Sequence, residues 1–377
     1  MQYRQFGRLD WKVSALGFGA MRLPTIKEGE KTVIDETQAI AMIRDAIDQG
    51  VNYVDTAYPY HEGQSEVVVG KALRDGYRDK VKVATKMPCW LVTKPEDFDT
   101  FLNEQLAKLQ TDHIDFYLLH AVWEERWELM NKMNVFAWAE KAKSDGRIGH
   151  LCFSYHAGPA LFKEVIDAYD WTMCQIQYNF MNEEVQAGTK GLEYAAQKGI
   201  ATVIMEPLLG GLIARPPKVI QNIWEEAGKQ PVDMALQWLW NKPEVSTVLS
   251  GMSTPEQVQQ NLDSANRSGV GTLAASDLDL VTRVRDRYRE LQAIPCTKCQ
   301  YCLPCPAGVN IPRNFEMYNE GVAYGDLQLS KALYNWHFQE KERAKSCVAC
   351  KVCETKCPQQ IPISEWMPKV HASLVFQ

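Results

Sequence analysis

The sequence predicts an α/β protein in two parts: a closed (β/α)8 barrel over residues 1–290 and a small α-helical domain over 291–377. Three observations carry this. A short β-rich run, a polar turn and an amphipathic helix recur eight times within the first 290 residues, which is the arithmetic of such a barrel. The strand candidates are apolar runs more than alternations, as expected when both faces of a strand are buried. Finally, eight of the eleven cysteines fall between Cys296 and Cys357, which sets the tail apart from the rest of the chain.

Taken in order, Tyr3–Phe6 and Val13–Ala15 read as a hairpin turning at Gly7-Arg8-Leu9-Asp10. Strands are predicted at Leu16–Gly19, Asn52–Thr56, Val81–Lys86, Ile114–His120, His150–Phe153, Cys174–Tyr178, Ala201–Glu206 and Ser246–Ser250. Helices are predicted between them at Thr37–Gln49, Ser65–Leu73, Pro95–Leu109, Val135–Ser144, Pro159–Ala168, Thr189–Gln197 and Val232–Trp240. Thr254-Pro255-Glu256 opens an eighth by the capping and first-turn rules. An open doubly wound sheet is the rival, but no G-x-G-x-x-G follows the first strand. In the tail, Arg313–Glu320 and Leu327–Glu342 read as helices, with Leu329, Leu333, Trp336 and Phe338 as packing residues.

Composition bounds the function. Hydrophobic residues at 46% and charged residues at 23% describe a folded chain rather than a disordered or fibrous one. The net charge of −6 argues against a general nucleic-acid binder. The longest apolar stretch, Ala201–Ala214, contains Glu206 and Pro207, so no membrane span is expected. The N-terminal segment MQYRQFGRLD lacks an apolar signal region, so a cytoplasmic protein is expected.

The clustered cysteines form two runs, Cys296-x2-Cys299-x2-Cys302-x2-Cys305-Pro306 and Cys347-x2-Cys350-x2-Cys353-x3-Cys357-Pro358. A disulfide framework suits a secreted chain rather than a reducing compartment, and zinc sites need only C-x2-C pairs. Three cysteines at x2, x2 spacing before a Cys-Pro resemble bacterial ferredoxins, in which the fourth cysteine of each run ligates the other cluster. That resemblance implies one [4Fe–4S] cluster on Cys296, Cys299, Cys302 and Cys357, and a second on Cys347, Cys350, Cys353 and Cys305. The first run departs from the pattern, with two residues rather than three before its Cys-Pro.

Barrel active sites lie at the C-terminal ends of the strands. Three successive strands end in ionisable groups, namely Asp55 with Tyr60 just beyond it, Lys86, and His120. Each has a plain structural explanation alone, as a cap, a solvated strand end or a core histidine. At one depth on consecutive strands they form a set. A tyrosine hydroxyl is a poor acid at neutral pH. A nearby ammonium favours its phenolate, an aspartate keeps that ammonium charged, and a histidine positions a carbonyl oxygen against the phenol. Such a set protonates a carbonyl while a hydride arrives from a nicotinamide.

The segments D55-T-A-Y-P-Y60, K86 and L-L-H120 on this pattern resemble the aldo-keto reductase superfamily, and the tail resembles its branch with a ferredoxin-like domain. The resemblance implies a TIM barrel with a catalytic tetrad of Asp55, Tyr60, Lys86 and His120, NAD(H) or NADP(H) as cofactor, and a small carbonyl substrate. It further implies that Ser154 and Gln175 hold the nicotinamide carboxamide and that Met205 stands where an aromatic usually stacks on its ring. Gly251, Ser253, Gln257 and Asn261 would face the phosphates. Tyr155 replaces the usual Asn, and Glu206 a small residue. Gly251 and Gln257 replace the Lys and Arg of NADPH-preferring members, so NADH is expected to serve at least as well.

Met21, Arg22, Trp90, Trp123 and Tyr58 are expected at the mouth of the pocket, and Cys89 as a buried thiol. The clusters suit three roles: structure, redox sensing, or electron relay with a carrier such as ferredoxin. Residues 291–377 hold nine Lys/Arg against seven Asp/Glu, a balance that suits an acidic carrier. The alternative function is an electron-transfer or regulatory protein whose barrel binds a nucleotide or partner without fast turnover.

Overall fold

The computed structural model describes residues 1–29, 31–296, 298, 300–357 and 359–376. Strand β1 (Tyr3–Gln5) pairs antiparallel with β2 (Lys12–Ser14), as the opening hairpin pattern predicts. Strand β3 (Leu16–Gly19) enters the barrel, and β4 (Thr25–Glu28) and β5 (Lys31–Ile34) form a second hairpin outside it. This second hairpin was not expected, because its largely exposed residues carry no alternation. The remaining barrel strands are β6 (Tyr53–Asp55), β7 (Lys82–Met87), β8 (Ile114–Val122), β9 (Ile148–Tyr155), β10 (Met173–Gln177), β11 (Ala201–Met205) and β12 (Val245–Ser250). They run parallel in the order β3-β6-β7-β8-β9-β10-β11-β12, and β12 closes on β3.

The eight expected helices are present with ends shifted by a residue or so, for example Glu36–Asp48 and Pro255–Asn266. The second is capped as predicted, the Thr254 side chain accepting from the Gln257 N–H. Phe6, Tyr53, Phe116, Leu118, Met173 and Leu249 pack together in a core that includes the first loop of the N-terminal hairpin. Burial on this scale stabilises by roughly 1.5–3 kcal/mol per large side chain. Cys89, Cys152 and Cys174 are buried, and burial pushes the Cys89 thiol up to about 12, so it is inert at neutral pH.

Compact contacts divide the chain into 1–209 with 232–274, and 210–231 with 275–377. The helix Ala275–Glu290, which was not predicted, falls in the second unit. Its buried Leu280, Val281, Val284 and Tyr288 are scattered among charges, and Tyr288 lies 4.6 Å from the ring of Tyr324. Helices Lys218–Glu226 and Ile363–Leu374 also lie in this unit and were also missed. The C-terminal core gathers Ile294, Ile311, Phe315, Tyr334, Phe338, Met367 and Leu374. Leu333 and Phe338 pack as expected, but Trp336 is 75% exposed. The inward face of helix Gln328–His337 runs through Ser330 and Tyr334, and it leaves Trp336 outside. Among the described residues no helix is long and apolar enough to cross a membrane.

Candidate active site

Strand register assembles the first set. Asp55 ends β6 opposite Ala84; Lys86 lies two residues further along β7, opposite Leu118; His120 lies two further along β8. A two-residue step keeps a side chain on the same face, so all three share the barrel interior. The chain then turns through a short helical segment, Tyr60–Gly63, which brings Tyr60 back over them. Lys86 Nζ donates to Asp55 Oδ1 at 2.6 Å, to the Thr56 carbonyl at 2.8 Å and to the Tyr60 hydroxyl at 3.4 Å. The Tyr60 and His120 rings meet edge to face, with centroids 6.1 Å apart.

Electrostatics depart from the simple expectation at Tyr60. Burial raises the phenol above its ordinary value, and Lys86 opposes that shift without reversing it. The hydroxyl is therefore protonated at neutral pH, the form a proton donor requires. Burial acts to lower the Lys86 ammonium, but Asp55 and Tyr60 outweigh it and hold Lys86 charged. Removing one partner of such a pair leaves an uncompensated buried charge, at a cost of about 3–5 kcal/mol.

A polar layer behind Lys86 went unrecognised in the sequence. Gln105 donates to the Lys86 carbonyl at 3.1 Å and accepts from Tyr117 at 2.7 Å, while Thr85 donates to Glu66 at 2.6 Å. Glu66 and Gln105 are fully buried on helices Ser65–Ala72 and Glu96–Leu109. A charged and an amide side chain on faces otherwise apolar was the available signal.

His120 is set by a bulge. The β8–β9 register shifts between Leu119 and Val122, with Ala121 at φ 55°. The Ala121 N–H donates to Ser154 Oγ at 2.8 Å, and Arg126 donates to the His120 and Ala121 carbonyls at 3.3 and 3.0 Å. Trp90 lies 5.2 Å from the His120 ring, and Arg126 stacks on both Trp90 and Trp123. Tyr58 turns away instead, its hydroxyl donating to Glu104 at 3.1 Å and its ring meeting Phe101.

Burial, then the charges of Lys86, His156 and Arg126, hold the His120 imidazole well below its ordinary range. It is neutral when folded but takes a proton near pH 6.5 when unfolded. The unfolded state thus binds more protons below that pH, and stability falls with acid by up to about 1.4 kcal/mol per pH unit from this group. Urea denaturation of the barrel at pH 7.5 and 5.5 should show a smaller acid loss in His120→Gln than in the parent. Equal losses would refute the assignment.

The residues expected at the cofactor are placed as follows. Ser154 and Gln175 are paired neighbours on β9 and β10, both 1% exposed, and Gln175 Oε1 has no hydrogen-bond partner among the described residues. A buried acceptor of this kind fits the amide of a nicotinamide. Tyr155 faces the helices, packed on Phe162, with its hydroxyl bonded to the Gly158 carbonyl. Met205 is half-buried at the end of β11, and Glu206 follows at φ 55°, its carbonyl held by Asn179. After β12, Gln257 Oε1 accepts from the Ser253 N–H at 2.8 Å and Asn261 donates to Ser250 at 2.9 Å. Gln257 and Asn261 therefore shape the loop.

In the second unit, Cys296, Cys302 and Cys357 line one cavity with Ile311, Phe315, Ile361 and Ile363. Cys353 is buried, and burial with the neighbouring Cys305 and Cys347 pushes its thiol up to about 11. Cys350 is exposed on the same loop, and Cys299 lies outside the described residues. The fourth cysteine of each run thus stands with the other run. Among the described residues no three such side chains converge on a point as ligands of one ion would. A [4Fe–4S] cube takes one thiolate per iron, so its ligands line a cavity, as Cys296, Cys302 and Cys357 do.

Comparison with known proteins matches residues 15–270 to the aldo/keto reductase family and 295–361 to a 4Fe-4S dicluster domain. L-galactose dehydrogenase of Arabidopsis thaliana is 27% identical over 319 residues, which span 78% of this chain and 94% of that protein. The aldo-keto reductase YhdN of Bacillus subtilis is 27% identical over 307 residues, 69% of this chain and 87% of its own. Among solved structures, the holo form of aldo-keto reductase AKR11C1 from Bacillus halodurans superposes with a TM-score of 0.63 at 25% identity. It covers 75% of this chain and 96% of that one. An aldo/keto reductase from Klebsiella pneumoniae in complex with NADP and acetate shares the fold, with a TM-score of 0.59 at 24% identity over 75% of this chain and 95% of that one.

Proposed function

This chain belongs to the aldo/keto reductase family and carries a 4Fe-4S dicluster domain, and from that premise we propose that it reduces a small aldehyde or ketone with NADH or NADPH. The observation that carries the proposal is the single contact network joining Lys86 to Asp55, Thr56 and Tyr60 beneath His120. When bound, the dinucleotide supplies the hydride. Gln175 and Ser154 would hold its carboxamide, Gln175 through its buried Oε1 and Ser154 through its hydroxyl, whose oxygen already accepts from the Ala121 N–H. Neutral His120 orients the substrate carbonyl oxygen towards the Tyr60 hydroxyl. Tyr60 gives that oxygen its proton as negative charge develops there, and Lys86 stabilises the phenolate left behind. Asp55 keeps Lys86 charged and in place.

Cys296, Cys299, Cys302 and Cys357 would hold one [4Fe–4S] cluster, and Cys347, Cys350, Cys353 and Cys305 a second. Such clusters pass one electron at a time, whereas hydride carries two. Both clusters therefore stand outside the carbonyl step, holding the C-terminal core and offering a port to an outside one-electron carrier such as a ferredoxin. Exposed Cys350, Val348 and Lys351 around the second group suit that port. Anaerobically, NADH or NADPH alone should leave the cluster absorbance unchanged, and an added aldehyde should then be reduced at the expense of the cofactor. Bleaching of the clusters by the cofactor alone would overturn this division of labour.

A further inference from the structure

The barrel mouth carries a cation that the catalytic network does not use. Helix Glu124–Lys132, which follows β8, holds Arg126 in its first turn. Buried Trp127 and Met130 anchor that helix, and the Trp127 indole N–H donates to Glu164 at 2.7 Å. The Arg126 guanidinium lies 3.5 Å over the Trp123 ring and 4.9 Å from that of Trp90. Trp90 in turn lies 5.2 Å from the His120 ring. These two ring contacts put the guanidinium within the length of a small molecule of the His120 imidazole.

Its donors are only partly used. Nη1 donates to the His120 and Ala121 carbonyls, which fixes the guanidinium plane. The Nε–H and Nη2–H groups form the parallel fork on the other edge. Among the described residues they make no hydrogen bond, and Arg126 makes no ion pair. Burial works against the charge of Arg126; the groups acting in its favour are Cys89, a neutral thiol at physiological pH, and Glu125, exposed on the same helix. Glu206, which adds to the upward shift that burial gives the Tyr60 phenol, follows β11, three strands round the barrel from β8. An anion in the site is therefore repelled on that side and attracted on the side of Arg126.

We infer that Arg126 determines specificity by taking a carboxylate of the substrate, so that short oxo acids are preferred over neutral aldehydes. The inference rests on the proposed function, because it needs the carbonyl end of the same molecule between His120 and Tyr60. The open fork matches the two oxygens of a carboxylate. Trp123 covers one face of the guanidinium, which keeps water from that face and strengthens the pairing. The Nη1 bonds hold the fork before substrate arrives, so little ordering entropy is lost on binding. Because Trp90 bridges Arg126 and His120, only a few carbons can separate the carboxylate from the carbonyl.

Steady-state reduction by the full-length protein, at saturating NADH or NADPH, tests the idea with 4-oxobutanoate and butanal, aldehydes of equal chain length that differ in the carboxylate. In the parent, kcat/KM should favour 4-oxobutanoate by about 10- to 100-fold, the range of a charge-assisted hydrogen bond. Arg126→Gln should bring that ratio close to one. The ratio is the readout because Arg126 also holds the His120 carbonyl, and a displaced His120 would slow both aldehydes alike. Succinate, which carries carboxylates but no reducible carbonyl, should compete with the aldehyde in the parent and do so about 10-fold more weakly in the variant. A parent that reduces both aldehydes equally well overturns the inference and leaves the proposed function standing. So does a preference for 4-oxobutanoate that survives in Arg126→Gln. A parent that reduces neither of these nor any other small aldehyde overturns both.

Discussion

Tyr60→Phe is expected to lower kcat for carbonyl reduction by about 10²–10⁴-fold, the contribution of a positioned general acid, while dinucleotide affinity stays within a factor of two or so. The variant is clean because Lys86 keeps its bonds to Asp55 and the Thr56 carbonyl when the phenol oxygen is gone. Lys86→Met is the less readable alternative, since it strands the Asp55 carboxylate in a site where that residue is 2% exposed and lowers stability along with rate. In the parent enzyme the reduction rate should hold level across neutral pH and decline only above the ordinary tyrosine range, because burial moves the Tyr60 phenol upwards. Stopped-flow oxidation of the nicotinamide in the presence of a saturating aldehyde measures both effects. Undiminished turnover in Tyr60→Phe would refute the tetrad and revive a barrel that binds nucleotide without catalysis.

Anaerobic removal of iron by chelation is expected to release the C-terminal core while the barrel stays folded. Five of the proposed ligands, Cys296, Cys302, Cys305, Cys347 and Cys357, pack against the buried cluster built on Phe315, Tyr334 and Met367. A group bound at 1,000 times its dissociation constant stabilises the fold that holds it by about 4.1 kcal/mol. Hydrogen exchange should therefore quicken by roughly 10³-fold through residues 294–374 on iron removal. Protection of β6, β7 and β8 should not change, since their core is made of Tyr53, Ala84, Phe116 and Leu118. Equal loss in both units would mean that the clusters support the whole chain. No loss in either would mean that apolar packing alone holds the tail.

Much of this was legible in the chain, and for identifiable reasons. The barrel strands are short apolar runs, a pattern set by burial on both faces. Each of Asp55, Lys86 and His120 closes such a run, so the positions at the rim could be counted directly from the sequence. The cysteine spacing pointed to the cluster chemistry because three of the four proposed ligands of each cluster lie within seven residues of one another. The polar network of Glu66, Gln105 and Tyr117 behind Lys86 went unread, since its hydrogen-bonded partners are 12 to 39 positions apart and meet only across packed helices and strands. Helices Glu124–Lys132 and Ala275–Glu290 were missed because each buries a narrow stripe among charges.

The chain's local pattern was enough for the barrel strands, for Asp55, Lys86 and His120 at strand ends, and for the two cysteine runs, because each is a feature of short contiguous segments. Only packing in three dimensions decided that Tyr155 and Tyr58 turn away from the pocket, and that burial outweighs Lys86 at the Tyr60 phenol. It also decided that the Arg22 stem covers Gly251. Each of these depends on the distance between segments that local propensity leaves independent, and only closing the barrel brings residue 22 to residue 251.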